Sequence, residues 1–219
     1  MAAETTHLDA FRPLVRPHAL TAPVPMVDYC VRRAAIEFCE RTRCWRELIT
    51  ATVDEANEVI VAPAYAAIHR IENATFLDGD IPLEPRQFTD ISRFDRSQQG
   101  VPRYIIQTNP NTISLIHHAT GDVELSVLLK PVEGQEVVLN AGVPRDQYDV
   151  APKFLLTQYG EAIAAGALAR LFIMPKQEWT DNQLAAYYAQ RFENACAANF
   201  NADIVTQTNP PARSRMYEL

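Results

Sequence analysis

A chain of 219 residues, 47% hydrophobic and 21% charged, has an ordinary globular composition. It can bury roughly 70% of its unfolded surface without a disulfide or metal staple. A formal charge of −7 excludes a protein that grips nucleic acid across its surface, since backbone binding needs clustered Lys and Arg. With seven glycines against fifteen prolines, the chain also has little to spend on phosphate-cradling loops.

From Met1 to Phe11 there is neither a basic nor an apolar leader region, so a soluble protein made in the cytoplasm is expected. Its cysteines, Cys30, Cys39, Cys44 and Cys196, should then be reduced. Residues 1–25, punctuated by Pro13, Pro17, Pro23 and Pro25, read as an extended N-terminal arm with one helical turn. Leu8, Phe11, Leu14 and Val15 are its apolar anchors.

A helix is predicted from Met26 to Trp45. Val27, Cys30, Val31, Ala34, Ala35, Phe38 and Cys39 form one apolar stripe, and Arg33, Glu37 and Arg41 ladder the opposite face.

Between Leu48 and Val143 the period changes to that of strands. Leu48–Val53, Glu58–Ala62, Ala66–Phe76, Arg103–Thr108, Thr112–His117 and Val123–Leu129 are rich in β-branched residues and bounded by turn formers. Asp78-Gly79 marks a hairpin, Thr120-Gly121-Asp122 another turn, and Phe88–Phe94 a short helix across the sheet. The expectation is a small antiparallel unit over residues 48–149.

Helical period returns from Pro152 to Met174, with Leu155, Leu156, Tyr159, Ile163, Ala167 and Leu171 on one face and Pro175 as the stop. The next helix has Thr180 as expected N-cap, Gln183 completing a capping box and Trp179 stapled onto Leu184. Its stripe of Leu184, Tyr188, Phe192 and Ala195 fades near Asn199. The short link makes these two helices antiparallel neighbours. Residues 201–219 are polar and proline-broken and read as a C-terminal arm.

The expected fold is therefore α+β. A bundle of about three long helices (26–47 and 150–200) carries a β-rich insertion between the first and second. Its expected core is Phe38, Trp45, Tyr159, Ile163, Leu171, Trp179, Leu184, Tyr188 and Phe192. Ala162, Ala165, Gly166, Ala169, Ala185 and Ala189 leave two helices small on several faces. Small faces serve either a tight internal bundle or packing against a second copy, and composition alone leaves both open.

The search for chemistry is nearly empty. His7, His18, His69, His117 and His118 have no HExxH spacing, and no cysteine pair begins a zinc site. Cys39 and Cys44 should lie on different sides of their helix, as free thiols. His117-His118 on a strand would point opposite ways. Asp78-Gly79-Asp80 lacks the spacing of a calcium loop. Nucleophile elbows and nucleotide-binding glycine motifs are missing. No catalytic residue, metal or cofactor is expected.

The order of elements resembles the head–tail adaptor (connector, or head-completion) proteins of tailed bacteriophages. The resemblance rests on Ala34-Ala35-x-x-Phe38-Cys39-x-x-Thr42-x-x-Trp45, on Gly100-x-Pro102-Arg103-Tyr104, and on Tyr159-x-Glu161-Ala162-Ile163-Ala164-x-Gly166-Ala167-Leu168-x-x-Leu171. Pro175, Trp179, Asp181, Tyr188 and Phe192 follow in order, and the whole spans about residues 10–200.

It implies a structural, non-enzymatic virion protein of the neck. Such proteins form a ring, commonly of twelve copies, between the portal and the next tail component, whether nozzle, stopper or terminator. DNA would pass through an acidic or balanced lumen without specific binding, and no membrane is involved. The C-terminal arm would anchor to the portal through Arg213, Arg215, Tyr217 and Leu219. Alternatives are another virion ring such as a stopper or tail-completion protein, a small enzyme with an unrecognised site, or a cytoplasmic binding module.

Overall fold

The computed structural model describes residues 4–92, 95, 98–133 and 149–200. The fold is α+β, with four helices and a large, mostly antiparallel sheet. Strand β1 (Thr5–His7) is followed by helix α1 (Arg12–Val15), which is flanked by 3-10 turns at Leu8–Phe11 and Arg16–His18. Next come α2 (Val24–Thr42), β2 (Arg46–Val53), β3 (Val59–Ile60), β4 (Ala66–Phe76) and β5 (Ile81–Arg86). β6 (Tyr104–Asn109), β7 (Thr112–Ile116), β8 (Gly121–Pro131) and β9 (Val150–Pro152) precede α3 (Lys153–Phe172) and α4 (Asn182–Ala198).

The N-terminal segment is not an extended arm. Pro13 and Pro17 occupy first-turn helical positions, where a missing N–H costs nothing, so the chain coils. Leu8, Phe11, Val15, Ala19 and Ala22 are all buried. Arg12 clasps Asp28 of α2 with two 2.7 Å bonds, and β1 pairs antiparallel with β9, Thr5 opposite Pro152.

The seven-stranded sheet has the order β2-β8-β4-β5-β6-β7-β3. One pairing departs from the antiparallel expectation: β5 runs parallel to β6, Glu84 opposite Tyr104. The chain from Arg86 crosses back over the 3-10 turn Phe88–Asp90 before entering β6, so the two strands start from the same end. That turn is all that is described as helical where Phe88–Phe94 was expected to be a helix; Phe94 lies outside the described residues, as do 134–148. The β4–β5 hairpin forms where Asp78-Gly79 predicts it, with Gly79 at φ 106°, a backbone region that favours glycine.

Two asparagines with left-handed backbones tie the sheet together. Asn57 (φ 55°) is buried; its side-chain amide donates to the Leu115 carbonyl (2.8 Å), and its side-chain oxygen accepts from the Leu115 N–H (2.9 Å). Asn111 (φ 63°) does the same to β4, accepting from Ile68 N–H (2.9 Å) and donating to the Ala66 carbonyl (2.7 Å). Each amide stands in for a neighbouring strand's peptide.

One apolar cluster runs from Leu8 through α2, the sheet and α3 to Cys196. Fully buried Phe38, Leu125, Leu155 and Ile163 each contribute roughly 1.5–3 kcal/mol of burial. α2 meets β8 at the joint, where Lys130 pairs with Glu40 at 2.7 Å. A small second cluster of Ile91, Ile106 and Ile116, with Tyr104 against it, lies under the 3-10 turn.

Candidate interaction surfaces

α3 is the central helix, packed against both α2 and α4. Phe38 of α2 meets Tyr159 at 5.0 Å and Phe192 at 6.3 Å between ring centroids. Ile163 and Leu171 are fully buried. Tyr188 is buried beside Phe172 (5.8 Å), with its hydroxyl 3.3 Å from His18 Nδ1. Tyr159 and Trp179 are half-buried, and the Trp179 indole N–H is enclosed with no acceptor among the described residues. Trp45 is buried at the joint between helices and sheet, stacked on Tyr65 (6.1 Å), with its indole N–H donating to Glu47 (3.0 Å).

Leu184 is 41% exposed, which corrects its expected place in the core. The helix start also differs from the expected one. Asp181, not Thr180, is the N-cap; its carboxylate accepts from the N–H groups of Gln183 (2.9 Å) and Leu184 (3.0 Å). The Thr180 hydroxyl instead bonds the Met174 carbonyl and accepts from Gln177 N–H, closing the preceding loop.

The small residues divide by burial. Ala165, Gly166 and Ala185 are buried inside the subunit, and a Cβ on Gly166 would fall 2.7 Å from the Phe192 ring and 3.1 Å from Ala34. These three serve internal packing, not an outer face. Ala162 and Ala169 are half-buried and Ala189 is exposed. At one end of the helices Leu20, Ile173 and Tyr187, with Leu184, present exposed apolar side chains.

A charge network crosses the three helices. Arg170 of α3 bonds Glu37 of α2 and donates to the Gly166 carbonyl at 2.8 Å. Arg41 donates to Glu37 (3.2 Å) and to Glu193 of α4 (2.6 Å). The Glu193 bond raises the Arg41 pKa, and Arg41 in turn holds the Glu193 carboxyl below its ordinary range. Sequence reading placed Glu37 and Arg41 on a solvated face. It missed Arg170 and Glu193, whose only signal was an ionisable residue beside each apolar stripe.

Cys39 and Cys44 are not on different sides. α2 ends at Arg43 in the left-handed conformation (φ 55°), and the Cys44 thiol lies near enough to Cys39 for each to perturb the other. Burial pushes the Cys30 and Cys196 thiols up to about 11. All four are free.

Among the described residues no group of three His, Cys, Asp or Glu side chains could hold a metal ion. His117 Nδ1 lies 3.3 Å from the Val101 carbonyl oxygen. His118 borders a cavity of about 160 Å3 with Asn57, Glu58, Phe88, Ile106 and Thr108. The Thr108 hydroxyl is buried there without a partner among the described residues, and Glu58 and His118 are the described titratable groups lining the cavity.

A family model described as SU10 adaptor protein matches residues 6–215. The chain belongs to the SU10 adaptor protein family. This bears out the resemblance to phage head–tail adaptors, because the match covers nearly the whole chain and not one helix pattern. No curated protein matched the sequence. Membership in an adaptor family makes the chain a structural virion component that interacts with other phage head or tail proteins. Among the described residues of this SU10 adaptor, no helix is long and apolar enough to cross a membrane. Residues Arg213, Arg215, Tyr217 and Leu219, expected at the portal, lie outside the described residues.

Proposed function

We propose that this chain is a non-enzymatic neck protein that assembles into a ring of twelve copies joining the portal to the next tail component. The observation that carries the proposal is the adaptor-family match over residues 6–215. The three long helices act as a bundle that forms the collar, and the seven-stranded sheet, from Arg46 to Pro131, faces the tail.

A ring needs two different faces of one subunit to meet and close by rotation. One side is the outer surface of α3 and α4 around Ala162, Ala169 and Ala189, where small side chains let a neighbouring helix approach closely. Exposed Tyr187 and Leu184 border it on α4 and add apolar area. Arg213, Arg215, Tyr217 and Leu219 anchor on the portal, and a chain of net charge −7 lets DNA pass without adhering.

The test is reconstitution. The purified chain, mixed with the portal protein of the same phage, is followed by light scattering and electron microscopy. Stacked portal and adaptor rings are expected. A chain that remains monomeric and unbound beside an intact portal ring would rule the proposal out.

A further inference from the structure

The outer edge of β2 is built to accept another strand. Its register with β8 is unbroken over eight residues, Arg46 opposite Leu128 through Val53 opposite Gly121. The Leu129 N–H donates to the Trp45 carbonyl at 2.9 Å, which fixes the phase of the ladder. Glu47, Ile49, Ala51 and Val53 turn their peptide groups toward β8. Arg46, Leu48, Thr50 and Thr52 turn theirs away from it. Those four residues are exposed, Leu48 by 74%, and no described backbone group bonds their outward N–H and C=O.

Exposed edges are ordinarily blunted by proline, lysine, a bulge or brevity. β3, at the other end of the sheet, is two residues long. β2 has none of these devices, and Arg46, its only cation, is held by Glu72 at 2.6 Å.

A suitable strand lies in the same chain. The described residues end where the Arg43 guanidinium sits 5.6 Å from the centre of the Phe200 ring, three residues ahead of β2. Nineteen residues follow Phe200. Their β-forming run is Ile204-Val205-Thr206-Gln207-Thr208, β-branched at four of five positions and closed by Asn209-Pro210-Pro211.

Four extended steps from Phe200 to Ile204 reach about 14 Å, and they start beside Arg43, at the end where β2 begins. We infer that Ile204–Thr208 adds to the free edge of β2 in its own chain, as a strand parallel to β2. Parallel pairing follows from leaving at the Arg43 end and running toward Val53. The short tether supplies a high local concentration, and the added strand covers Leu48. The two prolines end the pairing, which leaves Ala212–Leu219 beyond the sheet. The inference does not depend on what that tip binds.

Residue-resolved hydrogen exchange on the intact protein tests it, with a full-length Thr206→Pro variant and a chain ending at Phe200 alongside. The outward amides of Leu48 and Thr50 should exchange slowly in the intact protein at every concentration, and several-fold faster in both variants. The amides of Ile49 and Ala51, bonded to β8, should not change, which reports that the fold is intact. Equal exchange at Leu48 and Thr50 in all three proteins would overturn the inference. So would protection that disappears on dilution, because the edge would then be filled by a second copy.

Discussion

Gly166 of α3 lies directly under the ring of Phe192 on α4, so close that a Cβ would sit 2.7 Å from the ring. A glycine in mid-helix ordinarily costs stability relative to alanine. Here the sign reverses, because Ala34 closes the other side at 3.1 Å. Gly166→Ala is expected to lower stability by about 1–3 kcal/mol, read as a reduced midpoint in urea. A stabilised variant would show that the helices can move apart without loss.

The start of α4 gives a second test. Asp181→Ala removes the carboxylate that accepts from Gln183 and Leu184 and should cost about 1 kcal/mol. Gln183→Ala should change stability by less than about 0.5 kcal/mol, since Gln183 is exposed and the Thr180 N–H is bonded to Gln177. Comparable losses in both would restore the capping box that the sequence suggested.

Acid should weaken the clasp between α2 and α4. The Arg41 hydrogen bond lowers the Glu193 pKa below its usual 4.5. A carboxylate depressed in the folded state contributes stability above its unfolded pKa and loses it as pH falls through the folded value. Wild-type protein should therefore melt above Glu193→Gln at pH 7, and the two should converge below pH of about 4. A gap in melting temperature that stays constant into acid would show that Glu193 keeps its ordinary titration.

Asn111→Ala should open the sheet at its β4 side. The amide satisfies the Ile68 N–H and the Ala66 carbonyl, and alanine leaves both unpaired in a partly buried site, at a cost of about 1–3 kcal/mol. The left-handed backbone of residue 111 adds strain for alanine. Asn111→Gly, which tolerates that backbone, separates the two contributions. If both variants lose the same amount, the bridging amide accounts for the effect.

The long helices and most strands were legible in the sequence because their periods are strong and local. β4, read as Ala66–Phe76, has those bounds in the structure. What escaped was non-local. β1 and β9 are three residues each and pair across the length of the chain, so neither has a period to read. The parallel β5–β6 step depends on where a crossover returns. Thr180 was read as the N-cap because it fits the capping box with Gln183, whereas the helix is capped by Asp181, and Leu184 is exposed although it lies one turn ahead of buried Tyr188. For the small residues, composition could not divide Gly166 and Ala165, which are buried, from Ala162, since burial on a helix with small residues all round is decided by its neighbours. The free edge of β2 has no sequence signature other than missing protection.

The pairing of Thr5–His7 with Val150–Pro152 also orders events in time. Thr5–His7 can find its partner strand only once Val150–Pro152, far along the sequence, has been made. Contacts so distant in sequence close late. The segment that follows β1 can pack on α2 beforehand, where Arg12 bonds Asp28, whereas β1 itself waits for the strand just ahead of α3. The pairing of Thr5–His7 with Val150–Pro152 is thus among the last contacts to close, and it seals the finished subunit.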